Sequence, residues 1–501
     1  RCTFVKQLVP SQDLGHYQNL MNMEKTSKLL SLVIGQETGE TANSLGSFGI
    51  NSCHAALWLR QDLPLHFKRL RDELGMRYIR CHGILNDELG LVAADGSFHF
   101  EKVLRVLERI LANDQIPFLE LSDMPGTLAR SGESVCHYRF RSAPPKNWTC
   151  WKSLIEQFFK ALIDRFGRQE LCRWYFEVWN EPDISFWSGT REEYFKLYDL
   201  TRNVIKLQDR RFRVGGPATS KTAWIEEFCR HVAQPTLDDP TEGPRCDFIS
   251  THAYPSDVAF IDAADGKVKL QSADLLPELF LRARREINRY LSSAVPLFIG
   301  EWNSSAGPLA FNHDECANAA FIVKTMTELS SICAGSLFWN GSDIYEECGF
   351  HHVPFHGGYG LLNVNGIPKA SFHAFRFLHE IAGERVAVNW KDKTGTLGAI
   401  AAQQDDVLRI LLWNYLDPEK AARNYEIQIR NSPNYGICEQ IMPEQGSAYE
   451  YWRRLGAPEF ISLPELIALE RASQPRRFTL ERSDTIKLAP GEIALITYTQ
   501  L

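Results

Sequence analysis

The stretch WYFEVWNEP, residues 174–182, is a short apolar run that stops abruptly at its last three residues. A second run of the same kind, VPLFIGEWN at residues 295–303, stops in the same way. Apolar runs of this length that end at polar residues are typical of buried parallel strands. In barrel folds the residues just past such strands line the active site. The sequence therefore predicts that Glu181 and Glu301 meet at one face of a sheet.

Strand-like and helix-like patterns alternate on both sides of these runs, from residue 46 to residue 382. Apolar residues recur at helical spacing in 104–111 and 155–166, and Gly75 and Gly167 stand where helices are expected to end. Eight strand-helix units in one domain predict an α/β fold, a (β/α)8 TIM barrel, with a doubly wound open sheet as the alternative. The predicted strands are residues 47–51, 76–81, 116–121, 174–179, 212–215, 247–251, 297–300 and 336–339.

The pattern changes after Ile381 to extended runs separated by turn signals. These runs predict a β-sandwich accessory domain of residues 383–501, appended to a catalytic barrel of residues 46–382. Residues 1–45 fit no barrel unit, and we expect them to join the accessory β domain or to wrap the barrel. The predicted accessory strands are residues 396–401, 407–413, 425–429, 486–488 and 493–498.

Composition narrows the classes of function. The chain has 501 residues, of which 44% are hydrophobic and 23% charged, as in an ordinary globular protein with one large and one smaller domain. The formal net charge of -7 has no basic patch behind it, so neither nucleic acid nor an anionic membrane is expected as a partner. A carbohydrate or another neutral small molecule fits better.

The cysteines and histidines predict neither a disulfide framework nor a metal centre. Twelve cysteines lack CxxC or CxxxC spacing, and several lie inside predicted strands or helices: Cys81, Cys172 and Cys333. We therefore expect mostly free thiols and a cytoplasmic location. A periplasmic or secreted enzyme is the alternative, against which residues 1–5 lack the apolar core of a signal peptide. The nearest approach to a metal cluster matches no zinc spacing and is interpreted as loop histidines: His351, His352 and His356.

Glu181 and Glu301 have the residue types that glycosidic bond cleavage requires. In such reactions one carboxyl group protonates the leaving oxygen, while the other, ionised, attacks the anomeric carbon or activates water. Asn180 is placed to hydrogen-bond a sugar hydroxyl near the reacting carbon. A glutamate at a strand end can instead cap the following helix, but two of them, each flanked by Trp and Asn, favour the catalytic interpretation.

At this level of detail the chain resembles glycoside hydrolase family 39 of clan A, and within it the bacterial β-xylosidases. The NEP motif alone would indicate only the clan, whereas ordered motifs along almost the whole chain indicate the family. These motifs are YIRCHGIL at 78–85, LELSDMP at 119–125, PPKNW at 144–148, FEVWNEP at 176–182, GGPA at 215–218, DFISTHAY at 247–254, GEWNSS at 300–305, FWNGSDIYEE at 338–347 and PFHGGYGLL at 354–362.

The resemblance implies a retaining, exo-acting β-D-xylosidase that releases xylose from the non-reducing end of xylo-oligosaccharides. Glu301 matches the family's nucleophile and Glu181 its acid/base, so Glu181 should have the higher pKa of the two. The family has no cofactor and includes tetramers and monomers, so a homo-oligomer is a possible state of this chain. The resemblance also implies a set of sugar-binding residues: His82, Asn180, His252, Tyr254, Trp339, Glu346 and Glu347. Of Glu346 and Glu347, only one is expected to touch substrate.

Two departures from the family pattern leave the sugar open. Asp123 replaces a Phe, and residues 53–55 replace a glycine-rich stretch. Asp123 is expected either to reach an additional sugar hydroxyl or to point to solvent, so α-L-arabinopyranosidase, β-galactosidase and β-glucosidase activities are alternatives. An α-L-iduronidase ranks lower, because Ala253 rather than Arg follows His252 and Asp123 would repel a uronate. A non-catalytic carbohydrate-binding scaffold is the alternative from another class.

Overall fold

Eight parallel strands close into a barrel in the computed structural model, which describes residues 27–42, 46–235, 244–256, 266–391 and 396–499. Neighbouring barrel strands follow the chain order, and the barrel closes where Leu337 of the last strand pairs with Gly49 of the first. The predicted (β/α)8 class is therefore confirmed. The barrel strands are β2 Gly49–His54, β3 Tyr78–His82, β4 Ile116–Leu121, β7 Tyr175–Val178, β8 Arg213–Thr219, β9 Phe248–His252, β10 Leu297–Trp302 and β11 Gly335–Phe338.

Helices surround the barrel, as their apolar stripes predict. Gly75 ends the first helix with φ of 67°. Gly167 was predicted to end a helix too, but it interrupts α3 with φ of 77° and the helical turns continue to Leu171. No helix within the described ranges is long and apolar enough to cross a membrane. The helices of the barrel are α1 Leu63–Leu74, α2 Glu101–Ala112, α3 Trp148–Leu171, α4 Arg191–Gln208, α5 Ile225–Ala233, α6 Leu275–Tyr290, α7 Ala317–Leu329 and α8 Ala370–Glu380.

The inside of the barrel is layered because side chains on a strand alternate between its two faces. Aromatic rings of the lower layer pack against one another, with centroids 5.2 Å apart for Phe118 and Tyr175 and 4.8 Å apart for Tyr175 and Phe298. Two residues further along β4 and β7 stand Glu120 and Glu177, which are fully buried. The aromatic layer thus lies directly beneath a layer of charged side chains.

The accessory domain is built on one nine-stranded sheet. All nine strands contribute to a separate hydrophobic core, so the sheet curls around its own apolar face. Residues 28–42 form β1, which pairs with β12 and β15, whereas residues 1–26 and 43–45 lie outside the described residues. The sheet comprises β1 Lys28–Ala42, β12 Gly383–Lys391, β13 Leu397–Gln404, β14 Val407–Asn414, β15 Tyr425–Arg430, β16 Tyr435–Ile441, β17 Arg476–Glu481, β18 Thr485–Leu488 and β19 Ile493–Thr499.

Two short insertions complete the described structure. A two-stranded hairpin, β5 Ser134–Val135 and β6 Phe140–Arg141, follows β4. Two accessory-domain helices, α9 Ala448–Arg454 and α10 Leu463–Ala472, pack against the long connection after β11 through the rings of Trp452 and Phe355, whose centroids are 5.6 Å apart. The accessory domain therefore supports a loop that begins at the barrel mouth.

Candidate active site

Glu181 and Glu301 meet at the carboxyl-terminal mouth of the barrel, as the sequence predicts. One carboxylate oxygen of each lies within 4.8 Å of the other and of a ring nitrogen of His252. Only 8% of Glu181 and 5% of Glu301 is exposed. Retaining glycosidases hold their two carboxyl groups roughly 5 to 5.5 Å apart, and inverting enzymes keep them farther apart to admit a water molecule. The pair therefore has the spacing of a retaining enzyme.

Backbone irregularities aim both carboxylates into the mouth. Glu181 follows β7 with a left-handed φ of 40°. The register between β9 and β10 shifts between Ile299 and Glu301, as in a β-bulge. Strict alternation would turn one of two successive residues outward, yet the Gly300 position faces His252 and the Glu301 carboxylate also reaches the barrel interior. The bulge accounts for this exception and directs the Glu301 carboxylate into the mouth.

Three side chains hold the Glu301 carboxylate. Arg80 Nη1 and His82 Nε2 each lie 2.8 Å from Glu301 Oε1, and the Tyr254 hydroxyl donates to Oε2 at 3.0 Å. Arg80 and His82 share a face of β3 because they are two residues apart on a strand. With its acceptor positions engaged by charged and neutral donors, Glu301 is stabilised as an anion in a fixed orientation.

The pKa values of Glu181 and Glu301 are shifted in opposite directions. Burial raises the pKa of Glu181 above its usual range and the negative charge of Glu301 adds to the effect, although the hydrogen bond to His252 acts against it. Burial alone would also raise the pKa of Glu301, but His252, His82 and Arg80 outweigh it and lower that pKa. Of the two, Glu181 therefore has the higher pKa and Glu301 the lower, the order that an acid/base and a nucleophile require.

Arg80 is a site residue that sequence reasoning missed, together with the acids beneath it. It is fully buried and spans the mouth, donating to Asn51 Oδ1 at 3.1 Å and to Asn180 Oδ1 at 3.0 Å. Below it, Glu177 Oε2 lies 2.6 Å from Nε and Glu120 Oε2 lies 2.7 Å from Nη2. The sequence signal that could have revealed Arg80 is its two-residue spacing from His82 on one strand, together with the single acids Glu120 and Glu177 inside the apolar strands β4 and β7.

Two polar side chains, those of His252 and Asn180, belong to the surroundings of Glu181. His252 Nδ1 lies 3.0 Å from Glu181 Oε1 and 3.7 Å from Glu301 Oε2, so the imidazole bridges the two carboxylates. Asn180 is fixed by Arg80 through its oxygen, while its buried Nδ2 has no hydrogen-bond partner within the described residues. A buried amide donor without a protein partner is suited to a ligand hydroxyl.

Trp339 lies beside His82 at the end of β11. Its ring centroid is 4.7 Å from that of His82 and 6.1 Å from that of Tyr359. The indole is 4% exposed and also belongs to the barrel core. It therefore forms part of the wall next to the nucleophile and packs into the core at the same time.

The structure separates the two acids that the sequence could not distinguish. Glu346 is buried and its carboxylate pairs with His54 Nδ1, whose ring stacks on Tyr138. Glu347 is partly buried and interacts electrostatically with His82, Glu301 and Glu181. Burial raises the pKa of Glu347 to about 7. Glu347 is thus the acid that interacts with Glu181 and Glu301, whereas Glu346 is paired with His54.

The Asp123 carboxylate is engaged in the loops around the mouth. One oxygen accepts a hydrogen bond from the Arg141 backbone at 2.7 Å, and the other accepts from the Asn86 side chain. Asp123 is 1% exposed, so the expectation that it points to solvent is wrong. Its residue type and left-handed φ of 68° suit a tight turn that ties β4 to the β5–β6 hairpin. Asp123 thus has hydrogen bonds within these loops, and its contact with substrate stays a prediction.

Three groups of side chains in the described ranges could in principle hold a metal ion: His54 with Glu88 and Glu346, His82 with Glu120 and Glu301, and Glu181 with His252 and Glu301. In the last two, imidazole nitrogen and carboxylate oxygen lie 2.8 or 3.0 Å apart, which is hydrogen-bond contact. In the first, His54 and Glu346 are in direct contact as well. We interpret these groups as hydrogen-bonded pairs of a histidine and a carboxylate. Of the three loop histidines, His352 pairs with Glu459 and His351 stacks on His356.

Comparison with known proteins agrees with this geometry. The β-xylosidase of Caldicellulosiruptor saccharolyticus is 36% identical over 469 residues, which cover 90% of this chain and 93% of that protein. The β-xylosidase of Geobacillus stearothermophilus is 31% identical over 91% of this chain and 92% of that protein. A monomeric β-xylosidase from Caulobacter crescentus CB15 superposes with a TM-score of 0.82 at 28% identity, covering 95% of this chain and all of that one.

The family assignment follows from the sequence as a whole. The sequence model of Glycosyl hydrolases family 39 matches residues 33–485, which include the barrel and the accessory sheet except for the start of β1, most of β18 and β19. Both carboxylates lie within this match, at neighbouring sites of one barrel mouth. The chain is a member of glycosyl hydrolase family 39.

Proposed function

We propose that the protein is a retaining, exo-acting β-D-xylosidase that releases xylose from the non-reducing end of xylo-oligosaccharides. The observation that carries the proposal is the pair of closely spaced carboxylates whose pKa values are shifted in opposite directions. The two β-xylosidases that match more than 90% of their own length support the choice of sugar.

In the first step Glu301 attacks the anomeric carbon while Glu181 gives its proton to the leaving oxygen. Arg80 and Tyr254 hold the attacking carboxylate from its two sides, which fixes its direction. In the second step Glu181, now ionised, takes a proton from water, and the water attacks the glycosyl ester on Glu301. The bridging contact of His252 to both acids suits this exchange of charge between them.

Sugar recognition is proposed to use groups that surround the pair. Asn180 Nδ2 is available to donate to a hydroxyl beside the reacting carbon, where such bonds strengthen in the transition state. Glu347 faces the catalytic pair and can accept from hydroxyls at the far side of the ring. Trp339 and His82 offer an aromatic wall. One wall with several polar groups is what a pyranoside pocket requires.

The direct test is a set of initial rates on aryl glycosides: β-D-xyloside, β-D-glucoside, β-D-galactoside, α-L-arabinopyranoside and α-L-iduronide. We expect preference for the xyloside, with Glu301→Ala as the inactive control. Added azide should restore turnover to Glu181→Ala and give a β-glycosyl azide, because azide needs no general base. Full activity in either variant would exclude the assigned roles, and preference for another sugar would replace xylose as the substrate.

The other glycosidases considered from the sequence are weaker candidates. A galactosidase or glucosidase would have to accept an additional hydroxymethyl group, and an arabinopyranosidase a C4 hydroxyl of inverted configuration. Asp123, the residue expected to read such a difference, is already hydrogen-bonded by Asn86 and Arg141. An iduronidase would need a cation for the uronate, and the Arg80 guanidinium is already shared among carboxylates. A non-catalytic scaffold would have no use for two neighbouring acids whose pKa values are shifted in opposite directions.

Oligomeric state and location are separate proposals. We infer a monomer or a homo-tetramer; the Caulobacter crescentus relative supports the monomer, and light scattering at several concentrations distinguishes the two. We infer a cytoplasmic location because thiols such as Cys81, Cys229 and Cys438 are buried as small apolar groups in the two cores. Fractionation of the source cells with an activity assay tests it, since activity in the periplasm or medium would contradict it.

A further inference from the structure

Asp183 stands two residues after the acid/base Glu181, and its side chain binds the end of a different strand. Its Oδ1 accepts from the Ser220 backbone N–H at 2.8 Å, and its Oδ2 accepts from the Ser220 hydroxyl at 2.5 Å. Ser220 is the first residue after β8. The Asp183 carboxylate therefore joins the loop that carries the acid/base to the end of the neighbouring barrel strand.

A second bond joins the same two segments at the acid/base itself. The Glu181 backbone N–H donates to the Ala218 carbonyl at 2.8 Å. Glu181 and Ala218 both have left-handed backbones, with φ of 40° and 53°. Such conformations are costly for residues with a side chain and persist where neighbouring contacts hold them. The bonds of Glu181 and Asp183 thus hold the strained turn between them.

We propose that Asp183 is the positioning residue of the acid/base catalyst, fixing the Glu181 loop onto β8 so that the carboxyl group is held at the leaving-group oxygen. The proposal rests on the glycosidase function proposed above and assigns Asp183 no contact with substrate. It acts on the acid/base and not on the nucleophile, because Glu301 is held by Arg80, His82 and Tyr254 from other strands.

The negative charge of Asp183 has a second effect, which also favours Glu181 as the acid. The acid/base is faced by His252 from β9, Glu301 from β10 and Glu347 from the loop after β11, in addition to Asp183. The negative charge of Asp183 raises the pKa of Glu181, as does that of Glu301. Asp183 therefore favours the protonated acid as well as its orientation.

A comparison of two leaving groups isolates acid positioning from general damage. A dinitrophenyl leaving group departs without protonation, whereas the sugar of xylobiose needs a proton from Glu181. For Asp183→Asn we expect kcat/KM on xylobiose to fall by about 10- to 100-fold and kcat/KM on dinitrophenyl β-xyloside by less than about 3-fold. The basic limb of the xylobiose pH profile should move to lower pH, because a negative charge beside Glu181 is lost.

Two further variants complete the test. Ser220→Ala keeps the backbone bond and loses only the hydroxyl, so we expect a smaller loss with the same dependence on leaving group, and it serves if Asp183→Asn does not fold. Asp209→Asn is the matched control, because Asp209 accepts from the Arg211 backbone at 3.0 Å at the opposite end of β8. Asp209→Asn should leave kcat/KM unchanged on both xylobiose and dinitrophenyl β-xyloside.

Equal losses on both substrates, or no loss on xylobiose, would overturn the proposal. Failure of the proposed function is a separate result, since it would appear in the unaltered protein as lack of turnover on every aryl glycoside.

Discussion

Arg80 Nη1 donates a hydrogen bond to Glu301 Oε1 over 2.8 Å, at the centre of a fully buried charge network. The same guanidinium reaches Glu177, Glu120 and Asn180 through its other nitrogens. A planar fork can hold these directions at once, whereas an ammonium group cannot. The Glu301 carboxylate is therefore oriented by a group that Glu120 and Glu177 already hold in place.

Arg80→Lys should lower kcat/KM by about 100-fold or more, because the charge remains but the fork that orients Glu301 is lost. Weaker stabilisation of the anion should raise the pKa of Glu301, so the acidic limb of the pH profile should move to higher pH. The measurement is kcat/KM as a function of pH. Arg245→Lys is the matched control, since Arg245 is buried against Asp199 and away from the pair. An unchanged acidic limb in Arg80→Lys would contradict this role.

Gly300→Ala should abolish most activity without unfolding the protein. A methyl group at this position would lie 2.7 Å from His252 Nε2 and 3.0 Å from its Cδ2, so the imidazole between the two acids would have to move. We expect kcat to fall by about 100-fold, the cost of a displacement near 1 Å. Rates and thermal unfolding are measured together. Gly132→Ala, where a methyl group would meet nothing within 4 Å, should behave as the unaltered protein.

Glu347→Gln should weaken sugar binding and change how stability depends on pH. Burial raises the folded-state pKa of Glu347 to about 7, so its contribution to stability is full below the unfolded pKa and is lost as pH rises through 7. The variant should therefore gain stability relative to the unaltered protein at pH 8 but not at pH 4. Thermal unfolding at both pH values, with KM for the xyloside, measures the two effects. A difference in Tm that is the same at both pH values would be inconsistent with this pKa.

Lys369→Met should destabilise the loop after β11. Lys369 Nζ lies 2.5 Å from Asp314 and 2.6 Å from Asp343, and all three side chains are fully buried. Removal of the cation leaves two buried carboxylates unpaired, at a cost of about 3 to 5 kcal/mol. Because burial raises the pKa of both aspartates, the loss should shrink at low pH, where they are protonated. Denaturant unfolding at two pH values checks this.

The control for that variant is Lys420→Met. Lys420 pairs with Asp274 and Asp417, but its side chain is 47% exposed. The expected change in the free energy of unfolding is below about 1 kcal/mol. A similar loss in both variants would show that burial does not distinguish the two ion pairs.

The sequence predicted the barrel and its catalytic pair because both depend on local patterns. Apolar runs that end at polar residues mark strands and their ends, and parallel strands bring those ends to one face. This rule places Glu181 and Glu301 at one face of the barrel, whereas their separate roles came from the resemblance to the family and stay a prediction. The accessory runs near residues 396–413 are likewise mainly apolar stretches. The strands β16 and β17 were missed because Tyr435 and Ile437 of β16 are exposed and because only Leu480 of β17 is buried.

Only the tertiary structure decided which side chains meet. The bulge in β10, the pairing of Glu346 with His54 and the engagement of Asp123 by Arg141 all depend on register and loop contacts between distant segments. The sequence by itself determined which residue types could do the chemistry and on which strands they lie. Their directions, distances and charges arise from packing across the barrel mouth, which no local pattern encodes.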